Sequence, residues 1–94
     1  MDKYELKLTG CDPIVVSTRV ADMAVAELEG QRRGWGPMKS ATINYLLLTL
    51  HKAARRDHPT VTPENYDDFT LAIEEYESIG SDAAPLVQEA TGEA

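Results

Sequence analysis

Only one cysteine, Cys11, stands in the 94 residues, so no internal disulfide can form, and a reducing compartment is the expected setting. No apolar run approaches the roughly 18 residues of a membrane span. The longest candidate, Ile43 to Leu50, is interrupted by Asn44 and Thr49. The start, Met1-Asp2-Lys3-Tyr4, lacks the basic and then apolar run of a signal peptide, which predicts a soluble protein of the cytoplasm with no membrane partner. Metal ligands are equally scarce. His51 and His58 lie two helical turns apart, about 10 Å along an axis, and no zinc-spaced Cys/His cluster exists. The acids beyond residue 63 lack the glycine turn of a calcium loop, and Gly34-Trp35-Gly36-Pro37 follows a helix pattern and lacks the Gly-Lys-Ser/Thr ending of a phosphate loop. No nucleophile has a base beside it in sequence; Cys11 sits in a turn signal. Neither catalytic residue, metal nor cofactor is therefore expected, and the chain should act by binding another protein.

The second deficit is of cations. All nine Lys and Arg fall within residues 1–56, against six acids, whereas residues 57–94 hold ten acids and no cation, for a net charge of −7. Phosphate contacts need clustered cations, so general nucleic-acid binding is not expected. The acidic half is either a solvated face that maintains solubility or, as a rival function, a DNA mimic that occupies a basic protein.

What is present predicts a mostly helical α+β domain over residues 1–80, an N-terminal hairpin packed on a three-helix bundle. Lys3-Tyr4-Glu5-Leu6-Lys7-Leu8 alternates with the period of a strand that buries Tyr4, Leu6 and Leu8. Gly10 to Pro13 reads as a turn, and β-branched Ile14-Val15-Val16 as the return strand, giving a hairpin over 3–16. A first helix over 19–32, capped by Ser17 or Thr18, should bury Val20, Met23, Ala24 and Leu28. Glu27 falls within that arc, either reaching water from an edge or buried against an arginine.

A second helix over 38–57 stops at His58-Pro59. Its stripe Ile43, Leu46, Leu47, Leu50, Ala53 and Ala54 should be the centre of the core. A second stripe, Met38, Ala41, Tyr45 and Leu48, is either sandwiched within the domain or offered to a partner, with Trp35 a plug or an anchor beside it. Thr62-Pro63-Glu64 predicts a third helix over 63–79 that buries Tyr66, Phe69, Ile73 and Tyr76 and points Glu64, Asp67, Asp68, Glu74 and Glu75 outward as an acidic ridge. Residues 81–94 read as a flexible acidic tail.

The run Thr18, Asp22, Glu27, Trp35 and Pro37, then the helix ending Ala53-Ala54-Arg55-Arg56, then Thr62-Pro63-Glu64-Asn65-Tyr66-Asp67-Asp68-Phe69, resembles the tail assembly chaperones of long-tailed, siphovirus-like phages of actinobacteria. The likeness spans about residues 18–80. It implies a non-catalytic protein that binds the aggregation-prone tape measure protein, helps bring tail tube subunits to it in the host cytoplasm, and is absent from the mature virion. It also implies a longer frameshifted product joined through residues 81–94. On this reading Trp35, Met38, Ala41, Tyr45 and Leu48 receive apolar helical segments of the client, and Glu64, Asp67, Asp68, Glu74 and Glu75 keep the complex soluble. A homo-oligomer stays open, as does the rival of a structural head–tail connector or completion protein.

Overall fold

The computed structural model describes residues 2–81, so the expected tail lies, apart from Ser81, outside the described residues. Strand β1 (Asp2–Leu8) turns back through Gly10, whose φ of +78° favours glycine, into β2 (Ile14–Ser17). The pair is antiparallel, with Lys3 opposite Ser17 and Leu6 opposite Ile14. Alternation aims Leu6, Leu8 and Val16 into the core, and Tyr4 is half-buried.

A two-stranded hairpin is marginal by itself. Its open edge is filled by a third strand that the sequence reading missed. The helix expected over 63–79 is instead a short helix, α3 (Tyr66–Ala72), followed by β3 (Ile73–Ser81). The sheet is antiparallel throughout, in the order β2-β1-β3.

Two costs explain why the helix ends at Ala72. Continued to residue 79, it would stack Glu74, Glu75 and Glu77 near the negative end of its dipole, with no cation one turn away to offset them. As a strand, the segment places Glu75 opposite Lys7 and Tyr76 opposite Leu6. The helix starts later than expected too: Asn65 is its cap, accepting the Asp67 and Asp68 amides at 2.7 and 3.2 Å. Thr62 is buried instead, its hydroxyl donating to the Ala54 carbonyl at 3.3 Å.

Helix α1 spans Val20–Arg32, a 3-10 turn covers Met38–Ser40, and α2 covers Thr42–Asp57. The expected helix over 38–57 is thus interrupted at Ala41, whose φ of −141° and ψ of 49° are not helical. Helix α2 is the centre of the molecule. Leu50, Ala53 and Ala54 join Leu6, Leu8 and Val16 in the core, and Leu48 meets the same cluster with Tyr66 and Phe69. Leu46 and Leu47 are half-buried, and Ile43, expected in the core, is 55% exposed.

Helix α1 is turned over relative to expectation. Val20, Met23, Ala24 and Leu28 face outward with Glu27, and the buried residues are Asp22, Ala26 and Gly30. Small residues four apart let α1 approach α2 closely, with the Tyr45 ring lying on Gly30. At the other end Arg56 Nη1 donates to both Asp22 oxygens, at 2.6 and 2.8 Å, and Nη2 to the Ser17 carbonyl at 2.6 Å. A buried acid paired with an arginine does fix how the helices meet, but it is Asp22, and Glu27 reaches water.

Candidate protein-binding surface

The stripe offered to a client in the sequence reading is divided by the structure. Tyr45 and Leu48 are 1% and 0% exposed, enclosed by their own chain, and cannot face a partner. The sandwiched alternative for this side of α2 holds at those two positions. Met38 and Ala41 are half-buried. Trp35 is half-buried as well and plugs the helix junction: its ring meets Tyr45 edge-on at 5.3 Å and Tyr66 at 5.8 Å, with the Arg33 guanidinium 5.0 Å from the Tyr66 ring. The Tyr45 hydroxyl donates to the Gly36 carbonyl at 2.6 Å, and the Tyr66 hydroxyl to that of Asn44 at 3.3 Å. Burial raises the Tyr66 phenol above its usual range.

Two apolar surfaces remain open, both reached through α1. The first is its outer face, where Val20 is 81% exposed and Met23, Val25 and Leu28 about half exposed. Sequence periodicity found Val20, Met23 and Leu28 of this face, with Ala24, and assigned them to the core; Val25 was not among them. The contrary signal was the line Asp22, Ala26, Gly30, the small residues that mark the side facing α2. The second surface is a cleft of about 160 Å³ where α1, α2 and the start of β1 meet. Tyr4, Met23, Met38, Tyr45 and Leu46 form its apolar wall, and Asp2, Thr18, Thr42 and Thr49 complete it.

The expected acidic ridge is likewise dispersed. Glu64, just before α3, lies 3.8 Å from Arg55, and Asp67, in its first turn, 3.6 Å from Arg33. Glu74 accepts the Thr9 hydroxyl at 3.0 Å, and Glu75 lies across from Lys7 in the sheet. Asp68 is exposed. Most cations are committed: Lys52 and Arg33 share Glu29, at 2.6 and 3.1 Å, and the Lys52 hydrogen bond first, then Arg33, holds that carboxyl below its usual range. Arg19, Arg32 and Lys39 are exposed and make no ion pair with the described residues.

No group of His, Cys, Asp and Glu among the described residues could hold a metal ion, and no helix among them is long and apolar enough to cross a membrane. Cys11 is a half-buried free thiol. His51 is buried between Tyr66 and Phe69 and donates from Nε2 to the Pro63 carbonyl at 2.8 Å.

No protein-family model matches this chain, and no curated protein or solved structure does either. The fold and surface therefore define a class only: a small α+β domain with an uncovered apolar helix face and an apolar cleft beside it.

Proposed function

We propose that this chain is a non-catalytic tail assembly chaperone of the siphovirus-like type, binding apolar helical segments of a tape measure protein in the host cytoplasm and helping tail tube subunits reach it. The observation that carries this reading is the outer face of α1. A 13-residue helix that buries only Asp22, Ala26 and Gly30 leaves Val20, Met23, Val25 and Leu28 in water, and apolar helical clients dock on such faces. The client surface is thus moved from Tyr45 and Leu48 to α1. The resemblance over residues 18–80 supplies the client's identity. Spread over α3, β3 and their flanks, the acids suit solubility better than the continuous ridge a DNA mimic would present.

Co-expression with the candidate tape measure protein tests the proposal. The client should be soluble with this chain and insoluble without it, and Val20→Lys with Leu28→Lys should abolish the rescue while leaving the melting temperature within a few degrees. A client that stays insoluble in both cases would refute the chaperone reading. Recovery of the chain in purified virions by mass spectrometry would favour the connector.

A further inference from the structure

The outer face of α1 is ordered as well as exposed. An α-helix advances about 100° per residue, so the line Asp22, Ala26 and Gly30 that faces α2 fixes the direction of every other position. Opposite that line runs a narrow seam of Ala21, Ala24, Leu28 and Gln31, each of them exposed. Glu27 lies about 80° to one side of the seam and Arg32 about 60° to the other. Val20 shares the flank of Glu27, and Val25 that of Arg32. Every one of these positions recurs once at the seven-residue spacing of a coiled-coil seam.

Both charges are free. Glu27 and Arg32 are exposed, and neither makes an ion pair with the described residues.

Two parallel helices joined along such a seam set one flank of the first against the opposite flank of the second, five residues further on. With a second copy of α1 as the partner, Glu27 meets Arg32 and Val20 meets Val25, and a two-fold axis makes each contact twice. The antiparallel arrangement joins like flanks, Glu27 on Glu27 and Arg32 on Arg32. The charges therefore select both the occupant and its direction.

We infer that the outer face of α1 pairs with the same face of a second copy, the two helices parallel about a two-fold axis. The contact is short. A helix of 13 residues is about 20 Å long, too little for the ~1,200 Å² that stable interfaces bury, so the pair is weak and gives way to a stronger partner. Salt near ~0.15 M suits it, because repulsion between net charges of −7 is screened beyond ~8 Å whereas ion pairs in contact persist. The pairing does not rest on the chaperone reading; a client that docks on α1 competes with the second copy.

The test follows leucine and valine methyls of the full chain by NMR over a dilution series at ~0.15 M salt. Methyls of Val20, Val25 and Leu28 should move with concentration, and those of the core residues Leu6 and Val16 should stay. Glu27→Arg should raise the dissociation constant about tenfold, as two attractions become two repulsions, although it lowers the net negative charge and with it the overall repulsion. Arg32→Glu should weaken pairing as well. Mixed one to one, the two variants should pair as tightly as the parent, because each flank then faces the opposite charge. In a Cys11→Ser background, Ala24→Cys and Gln31→Cys should each link to its own copy through a short bis-maleimide, which only parallel helices in register allow at both positions. The inference is overturned if dilution leaves the α1 methyls still, if Glu27→Arg tightens the association, if the mixture pairs no better than its components, or if only one cysteine position links. Pairing restored by mixing also excludes misfolding as the cause of the single-variant losses. Methyl shifts without rescue of a tape measure protein leave the pairing without the chaperone, and rescue by a chain that does not pair leaves the converse.

Discussion

Gly30 stands in mid-helix against its own propensity, which disfavours it by about 1 kcal/mol relative to alanine. What holds it there is Tyr45: a Cβ at this position would stand 2.6 Å from the ring Cζ and 2.8 Å from the hydroxyl oxygen. Retreat of the ring would cost its hydroxyl the bond to the Gly36 carbonyl at 2.6 Å and its face the edge-on contact with Trp35 at 5.3 Å. Overpacking of this kind costs ~1–3 kcal/mol, so Gly30→Ala should lower stability in urea despite its better propensity. In a Tyr45→Leu background the same change should become neutral or favourable, and a penalty that survives there would disprove the ring as its cause.

His51 supplies the pH dependence. Burial lowers its pKa below the usual value, and its Nδ1 is enclosed with no hydrogen-bond partner. The unfolded chain takes up this proton near pH 6.5, whereas the folded chain does so only at lower pH. Between the two the unfolded state binds more protons, so stability rises with pH there and is lost as pH falls from about 6.5 through the folded value. Urea midpoints at pH 7.5, 6.5 and 5.5 should fall in that order, and His51→Gln should flatten the slope. An unchanged slope in the variant would assign it elsewhere.

Among the elements, α1 depends on one polar junction. Asp22 caps the Arg19 amide at 2.9 Å and binds Arg56, which in turn holds the Ser17 carbonyl. Pairing with Asp22 is the first cause that raises the Arg56 pKa. Asp22→Ala removes a cap and a charged pair together, and should cost about 1–3 kcal/mol by chemical denaturation, with α1 amides exchanging first. Uniform exchange across all helices would argue that α1 is not a separate unit. In the sheet, Glu77 lies directly across from Glu5, a like-charge pair, so Glu77→Thr should stabilise by roughly 0.2–1 kcal/mol.

These same elements mark what the sequence could reveal. Strand β1 was legible from its period-two alternation, β2 from its β-branched run after a turn signal, and the end of α2 from His58-Pro59, which disfavours helix. Helix α1 was legible in extent but not in orientation. Apolar periodicity names a face without saying whether that face is covered, and the covering was decided by Gly30, Ala26 and Arg56. Strand β3 was hidden because Tyr66, Phe69, Ile73 and Tyr76 fit a helical period. The crowding of Glu74, Glu75 and Glu77 weighs against a longer helix, and the open edge of β1, a feature of another part of the chain, makes the strand preferable. Of the candidate site, Met38 was found together with its cleft neighbour Tyr45, but Met23 was read as core.

At the scale of the whole molecule, the two edges of the sheet are guarded differently. The end of α2 closes over β2: His58 donates to the Val15 carbonyl at 2.7 Å, Arg56 to that of Ser17, and Asp57 accepts the Ser17 amide at 3.4 Å. The other edge strand, β3, carries Glu74, Glu75 and Glu77, so pairing with its own copy would bring carboxylates together. No comparable device protects α1. Its outer face carries a single carboxylate, Glu27, and self-association there is opposed by the net charge of −7, a long-range repulsion that salt removes as the screening length contracts from ~10 Å at 0.1 M to ~3 Å at 1 M. Light scattering should therefore show attraction between copies growing with salt, and Val20→Ser with Leu28→Ser should suppress it. The double variant should keep its urea midpoint to within about 0.5 kcal/mol, because neither side chain belongs to the core. If the variant associates as strongly as the parent, the contact lies elsewhere and α1 loses its standing as the exposed adhesive surface. If salt induces no association in either, net charge is not what holds the copies apart.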